Sequence, residues 1–183
     1  MGPFTLAQGI VSLEAQHSGS SNFVVKLFGS NSQDELTINE IGEYSGERAH
    51  AVDADALFGL KPGEHNLEIT ADGPWTINVL QEFPSIGSSA PISAEGSGDS
   101  VVRWIQLERG NYIMAANHLG QFNFIVQVIS AVGDTMELVV NEIGNYSGQN
   151  RLNVQENNLF GLKPGLHLVV VQADGNWDLS ITK

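Results

Sequence analysis

The seven residues LFGLKPG stand at positions 57–63 and recur letter for letter at positions 159–165. Within each copy, Lys-Pro-Gly suits a type II turn, because proline presets a negative φ and glycine accepts a positive one. A new strand is therefore predicted to begin at His65 and, in the second copy, at His167. We expect the leucine and phenylalanine that open each copy to anchor the turn to a hydrophobic core.

The repeat extends far beyond these seven residues. Residues 36–79 align with residues 138–181 without a gap, and 21 of the 44 aligned positions are identical. Upstream of that block, the pattern H.G..NF joins residues 17–23 to residues 118–124. An internal duplication accounts for this agreement, since self-similarity at a fixed period is the signature of repeated structural units.

The duplication predicts two tandem domains, residues 1–80 and residues 101–183. Between them, residues 81–100 are rich in proline, glycine and serine, a composition typical of a linker. In both copies hydrophobic residues alternate with polar ones, as they do at Val11 and Leu13, which predicts half-buried strands. No stretch has a helical period. The expected fold is therefore all-β, with two tandem antiparallel β-sandwiches of jelly-roll-like form.

A second repeated motif, ADG.W, stands at residues 71–75 and 173–177. Asp-Gly predicts a hairpin turn, and the tryptophan then opens the returning strand. We expect Trp75 and Trp177 to face the core, so this motif also indicates a fold and not a chemical site.

The bulk composition favours a folded protein and excludes several partners. Of the 183 residues, 42% are hydrophobic and 16% are charged, which is typical of a globular chain. The formal net charge of −13 repels phosphate backbones and anionic lipids, so we expect no nucleic acid partner. The chain has no cysteine, which excludes disulfides and thiolate metal sites. No apolar run is long enough for membrane insertion.

The order of the motifs resembles a known family. GPF at 2–4, H.G..NF at 17–23, N.IG.Y.G at 39–46 and ADGPW at 71–75 are similar to repeats of the bacterial pre-peptidase C-terminal type of β-sandwich. That resemblance implies a domain of secreted bacterial or archaeal proteins that lies beside catalytic domains and is not itself an enzyme. The start MGPFTLAQG is not a signal peptide, so an exported chain would be a mature or trimmed form.

Motifs of established catalytic and metal sites are absent from the sequence. It contains no H-E-x-x-H, G-x-S-x-G or P-loop pattern. Two histidine pairs recur, His17 with His118 and His65 with His167, but neither has a carboxylate partner at a fixed spacing. We therefore predict a protein that is not an enzyme and that holds neither a cofactor nor a metal ion.

Where the two copies differ, the second copy is more apolar. In the strand after the repeated turn, polar residues at 64, 66 and 68 become Leu166, Leu168 and Val170. A sandwich sheet needs only one apolar face, so a second apolar face demands a covering partner. The substitutions define a candidate protein interface: Ile113, Ala115, Val139, Leu152, Leu166, Leu168 and Val170.

Two coverings of this face remain open. In the first, the predicted linker at residues 81–100, with Phe83, Ile86 and Ile92, or the first domain lies over this face. In the second, the face packs against another chain to form a homo-oligomer or a complex with another protein. The leading functional prediction is a non-catalytic structural or interaction module, secreted or on a cell surface. The alternative is a module that binds carbohydrate or another polymer, with Tyr44, Trp104 and Tyr146 as candidate stacking residues.

Overall fold

The computed structural model of the chain describes residues 1–29, 34–158 and 161–183. All regular structure in these ranges is β-strand, which confirms the predicted all-β class. These residues form no helix, and so none that could cross a membrane. They divide into two compact units: unit 1 is Met1–Glu82 with Val132–Asp134, and unit 2 is Phe83–Ala131 with Thr135–Lys183.

Unit 1 is a sandwich of two antiparallel sheets. Its strands are β1 (Phe4–Leu6), β2 (Gly9–His17), β3 (Asn22–Gly29), β4 (Glu35–Ile41), β5 (Tyr44–Val52), β6 (Gly63–Thr70) and β7 (Trp75–Gln81). In the described residues one sheet has the order β1-β6-β3-β4 and the other has the order β5-β2-β7. Leu13, Phe23 and Ile38 are fully buried between the sheets.

Unit 2 has the same arrangement with added strands. Its strands are β8 (Ser88–Ser89), β9 (Ile92–Ser97), β10 (Ser100–Leu107), β11 (Gly110–Leu119), β12 (Asn123–Ser130), β13 (Met136–Ile143), β14 (Tyr146–Val154), β15 (Gly165–Gln172) and β16 (Asn176–Thr182). The sheets that these strands build have the orders β13-β12-β15-β10-β8 and β14-β11-β16-β9. Among the strands that the structure describes in unit 2, all pairings are antiparallel except that of β8 with β10. Phe124, Met114 and Trp177 fill the core.

The alternation of hydrophobic and polar residues turns one face of each strand towards the core. In β11, Tyr112, Met114 and Ala116 are buried, and the residues between them lie on the solvent side. Such alternation is expected where one face of a sheet is buried and the other is not. The tryptophan of ADG.W faces the core in unit 2, as predicted, whereas Trp75 of unit 1 remains 40% exposed.

The repeated LFGLKPG segment differs from its prediction in two respects. The following strands begin at Gly63 and Gly165, two residues before the predicted His65 and His167. Gly63 and Gly165 have positive φ values of 139° and 149°, which explains the need for glycine there. The prediction that the first two residues anchor the turn is wrong for the first copy, because Leu57 and Phe58 are 89% and 73% exposed. Leu60, which bridges to Val52 and is buried, anchors the segment instead. The second pair, Leu159 and Phe160, lies outside the described residues.

The predicted linker, residues 81–100, is also more structured than its composition suggests. β8 and β9 lie within residues 81–100, for which the sequence predicts a linker. β9 pairs with β16 along its whole length, and Ile92 is buried in the core of unit 2. Small residues alternate with polar ones in β9, so the strand can lie flat on the sheet edge in spite of its glycine and serine content.

Candidate functional site

A histidine-aspartate contact ties together the loops at one end of unit 2. His118 ends the inward face of β11 and is fully buried. Its Nδ1 donates to the carbonyl oxygen of Gly144 at 2.8 Å, and its Nε2 lies 3.4 Å from Asp174 Oδ1. The ring stacks on Phe124 with centroids 4.6 Å apart and planes 6° apart. We call the set His118, Gly144 and Asp174 the loop clamp of unit 2.

The carboxylate of the clamp also holds the neighbouring loop. Gln121 N donates to Asp174 Oδ2 at 2.8 Å, and Phe122 N donates to Oδ1 at 3.1 Å. Partial burial opposes ionisation of Asp174, but these two N–H groups outweigh it and hold the pKa of Asp174 below its usual value. The clamp therefore connects the loops β11–β12, β13–β14 and β15–β16.

Unit 1 contains the same clamp at His17, Gly42 and Asp72. His17 Nδ1 donates to the Gly42 carbonyl oxygen at 2.7 Å, and Nε2 lies 3.2 Å from Asp72 Oδ1. Hydrogen bonds from the backbone N–H groups of Ser20 and, secondarily, Ser21 hold the pKa of Asp72 below its usual value. In each unit, the repeated motifs H.G..NF, IG and ADG thus supply the histidine, the glycine and the aspartate of a loop clamp.

The clamp fastens loops through its histidine ring and its carboxylate. In both units the histidine Nδ1 is used by a backbone carbonyl. The Nε2 atoms are buried beside the carboxylates, and the geometry between them is not that of a hydrogen bond. A general base must reach the proton that it abstracts. Neither nitrogen of these rings can do so.

Replacing Asp174 with asparagine should reduce the acid sensitivity of unit 2. Because its folded pKa is depressed, Asp174 contributes stability that is complete above the ordinary carboxyl value of 3.8 and is lost as the pH falls through the folded pKa. Urea unfolding of Asp174→Asn between pH 2 and 7 should show a lower free energy of unfolding at neutral pH and a smaller loss in acid. Amide exchange should accelerate at Gln121 and Phe122.

Asp72→Asn is the matched control for this variant. It should speed amide exchange at Ser20 and Ser21, whose N–H groups bind the Asp72 carboxylate, and leave Gln121 and Phe122 unchanged. Equal exchange rates in all variants would contradict the assignment of the clamp.

A cleft with a row of polar side chains lies on the outer face of the sheet β14-β11-β16-β9 in unit 2. Its volume is about 770 Å³, and it is lined by Glu95, Gly96, Ser97, Asn117, His118, Leu119, Tyr146, Ser147, Asn176, Trp177 and Asp178. Ser147, Asn117, Asp178 and Glu95 are successive cross-strand neighbours there. Since neighbouring strands lie roughly 4.8 Å apart, this polar row extends over about 14 Å.

The cleft offers hydroxyl, amide and carboxylate groups together. Asn117 Nδ2 donates to Asp178 Oδ1 at 2.9 Å, which fixes the centre of the polar row. No lysine or arginine lines the cleft in the described part of the chain. The corresponding positions of unit 1 are Ser45, Gln16 and Thr76, and unit 1 has no strand beside Thr76 in its described residues. The complete row is therefore particular to unit 2.

One of the predicted stacking residues lies at this cleft. Tyr146 lines it, but the ring is half-buried, is tilted on Phe124 at 5.6 Å, and accepts a hydrogen bond from Asn150 Nδ2 at 2.9 Å. Tyr44 is tilted on Phe23 at 5.8 Å in the same way. Trp104 is half-buried on β10, in the other sheet of unit 2. Both tyrosine rings thus pack against core phenylalanines.

The predicted interface residues are not brought together. Ile113 and Ala115 lie on the outer face of β11, whereas Leu166, Leu168 and Val170 lie on β15 in the other sheet.

Two further residues of that prediction belong to the core. Leu152 is fully buried within it, and Val139 packs against it. The sequence interpretation placed Leu152 outside, but its cross-strand partner is the buried Tyr112, so both side chains face inward.

The apolar side chains of β15 have little exposed surface in the structure: Leu168 is 0% and Val170 is 5% exposed. Packing of this face against a second copy stays a prediction. Phe83 and Ile86, which the sequence offered as a cover, are exposed, and Ile92 lies in the core of unit 2.

Sequence reasoning missed the cleft because one of its walls is β9. Glu95 and Ser97 lie in the segment interpreted as a linker. The signal available was the alternation of Ile92, Ala94 and Gly96 with polar residues.

Comparison with known proteins adds no family assignment. No protein-family model matches the chain, and a search of curated proteins finds no significant match. The resemblance to the pre-peptidase C-terminal type of domain stays a prediction. In the ranges that the structure describes, no three histidine or acidic side chains are grouped to hold a metal ion.

Proposed function

We propose that this protein is a non-catalytic binding module, secreted or on a cell surface, and that unit 2 binds a neutral polysaccharide in its cleft. The polar row Ser147, Asn117, Asp178 and Glu95 carries this proposal. A hydroxyl-rich ligand donates to the carboxylates and exchanges hydrogen bonds with the amide and the hydroxyl. A row across the strands suits an extended chain of sugars.

Electrostatics favours a neutral ligand. Both charged members of the row are carboxylates, and the chain as a whole has a formal net charge of −13. An anionic ligand would be repelled, whereas sugar hydroxyl groups form charge-assisted hydrogen bonds to carboxylates, which are the stronger kind.

Apolar side chains beside the row support the same ligand. Leu119, the last residue of β11, lines the cleft, and it and Phe122 of the β11–β12 loop are each 69% exposed. Sugars have apolar faces as well as hydroxyl groups, so these side chains offer contact area. The loop clamp holds this loop at Gln121 and Phe122, which limits the entropy lost on binding.

The open position of the carboxylates supports binding without catalysis. Asp178 and Glu95 are cross-strand neighbours and both are exposed on the sheet face. A glycoside hydrolase keeps one carboxyl group protonated by placing it in a protected, apolar environment. The exposed pair lacks that protection, and it serves as a pair of hydrogen-bond acceptors.

Affinity electrophoresis of the full chain through neutral polysaccharides, such as β-glucan, xylan and galactomannan, tests the proposal. We expect at least one of these to retard the chain. Asn117→Ala and Asp178→Ala should each weaken binding about tenfold or more, since a hydrogen bond to a charged group contributes about 1.5–3 kcal/mol.

Gln16→Ala and Thr76→Ala, at the corresponding positions of unit 1, are the matched controls and should bind like the parent chain. Failure of the parent to bind any neutral polysaccharide, or equal binding by the cleft variants, would overturn the proposal.

A further inference from the structure

The two units differ at one edge of their corresponding sheets. In unit 2, β16 lies between β11 and β9. In unit 1, β7 occupies the place of β16 but pairs only with β2 among the described residues. The backbone N–H and C=O groups on the far side of β7 therefore form an open edge, which can accept another strand.

The inward side chains of β7 are more exposed to solvent than their counterparts on β16 of unit 2. Trp75 is 40% exposed, whereas Trp177, at the same position of unit 2, is 5% exposed. Val79 is half-buried, whereas Ile181 is fully buried. β9 accounts for the difference, because Ile92 and Ala94 pack into the core beside these positions of unit 2.

The segment around β9 also makes polar contacts that unit 1 lacks. Trp177 Nε1 donates to the Gly98 carbonyl oxygen at 2.9 Å, and Asp99 Oδ1 accepts from Ala173 N at 3.1 Å. Trp75 and Ala71 stand at the equivalent positions of unit 1 and have no such partners in the part of the chain that the structure describes.

We propose that the open edge of β7 binds an extended segment of another polypeptide whose sequence pattern is that of β9. This segment pairs with β7 as an added antiparallel strand. The segment has the pattern I-x-A-x-G-x-G-D. Glycine is required opposite the tryptophan, because a Cβ at Gly96 would lie 2.5 Å from the Trp177 ring. Backbone pairing supplies affinity, and the small inward residues supply specificity, as in other cases of strand addition.

The choice of β7 over the other edges rests on the comparison between units. β4 and β5 are edge strands in unit 1, and their counterparts β13 and β14 are edge strands in unit 2. β1 is also an edge strand, and its counterpart β10 has on its other side only the two-residue parallel strand β8. β7 is the edge strand whose counterpart has an antiparallel neighbour paired along six residues. Unit 2 therefore shows which strand fits, in which direction and in which register.

The test adds a capped peptide with the sequence of residues 92–100 to the full chain. Saturable one-to-one binding, followed by fluorescence anisotropy, is expected. In ¹H–¹⁵N spectra the indole N–H resonance of Trp75 should shift as it acquires a carbonyl acceptor. Absence of saturable binding would overturn the proposal.

Variants of the peptide and of the protein make the test specific. A peptide carrying G96V should bind about tenfold more weakly or worse, because of its steric conflict with the indole ring. The chain variant Trp75→Ala should lose binding by a similar factor. Asn117→Ala, in the cleft of unit 2, should bind the peptide like the parent chain, so the proposal stands or falls independently of polysaccharide binding. Binding that survives Trp75→Ala and shifts the Trp177 resonance would show exchange with β9 and would also overturn the proposal.

Discussion

Replacing Phe124 with alanine should lower the free energy of unfolding of unit 2 by about 3–5 kcal/mol. Phe124 is fully buried, and it lies between the ring of His118, at 4.6 Å, and that of Tyr146, at 5.6 Å. Its removal leaves a cavity and takes away the surface on which the clamp histidine stacks. The loss therefore combines the transfer free energy of a phenyl group with a loosened loop end.

Urea unfolding, with amide exchange of β11 and β12 as the readout for unit 2, measures this loss. Phe23→Ala is the matched control, because Phe23 makes the same contacts with His17 and Tyr44. It should destabilise β2 and β3 and leave β11 and β12 protected. A loss of less than about 1 kcal/mol in Phe124→Ala would show that the stack does not support the core.

Replacing His50 with leucine should make unit 1 less sensitive to mild acid. Burial, aided by the positive charge of Arg48, lowers the pKa of His50 to about 4. The side chain is 20% exposed, and Glu35 Oε1 lies 3.6 Å from its Nδ1. Burial also raises the pKa of Glu35, which weakens this carboxylate as a counter-charge.

The direction of the pH effect follows from the order of the two pKa values. The folded pKa of His50 is below the ordinary value of 6.5, so unfolded chains bind the proton more readily. The stability linked to the neutral ring is complete above pH 6.5 and is lost as the pH falls from 6.5 towards 4. One pKa unit corresponds to about 1.4 kcal/mol, so the loss is about 3 kcal/mol at most.

Urea unfolding at intervals from pH 7 to pH 4 tests this expectation. His50→Leu should flatten the curve, since leucine cannot titrate and unit 2 accommodates Leu152, fully buried, at the same position. Glu35→Gln is the control that removes the neighbouring carboxylate, and it should leave the decline in place. Parallel curves for the parent and His50→Leu would refute the role of His50.

Much of the fold was predictable because strand patterns are local. The alternation in β2 and β11 follows from the period of two in an extended chain, whatever the rest of the molecule does. The recurrence of His17 and His118, and of Asp72 and Asp174, marked positions under the same constraint in both copies. Their contact was not predictable, because the two members of each pair are more than 50 residues apart in the chain.

The predicted interface shows what a local sequence pattern does not determine. The alternation assigns a side chain to one of two faces, but it does not say to which sheet the strand belongs. Ile113 and Leu168 were grouped as one surface, yet their strands lie in different sheets. Leu152 was placed outside because its counterpart is His50, although the buried partner Tyr112 shows that this position faces inward.

The sequence by itself determined the all-β class and the repeated turns, because dihedral preferences and alternation act within a few residues. Only the tertiary structure decided that β9 pairs with β16, that this pairing builds the cleft wall, and that β7 keeps an open edge within the described ranges. Pairing joins segments distant in sequence through backbone groups that every residue carries. Side-chain pattern therefore restricts which strands can meet, while the packing of the whole sheet selects the pair.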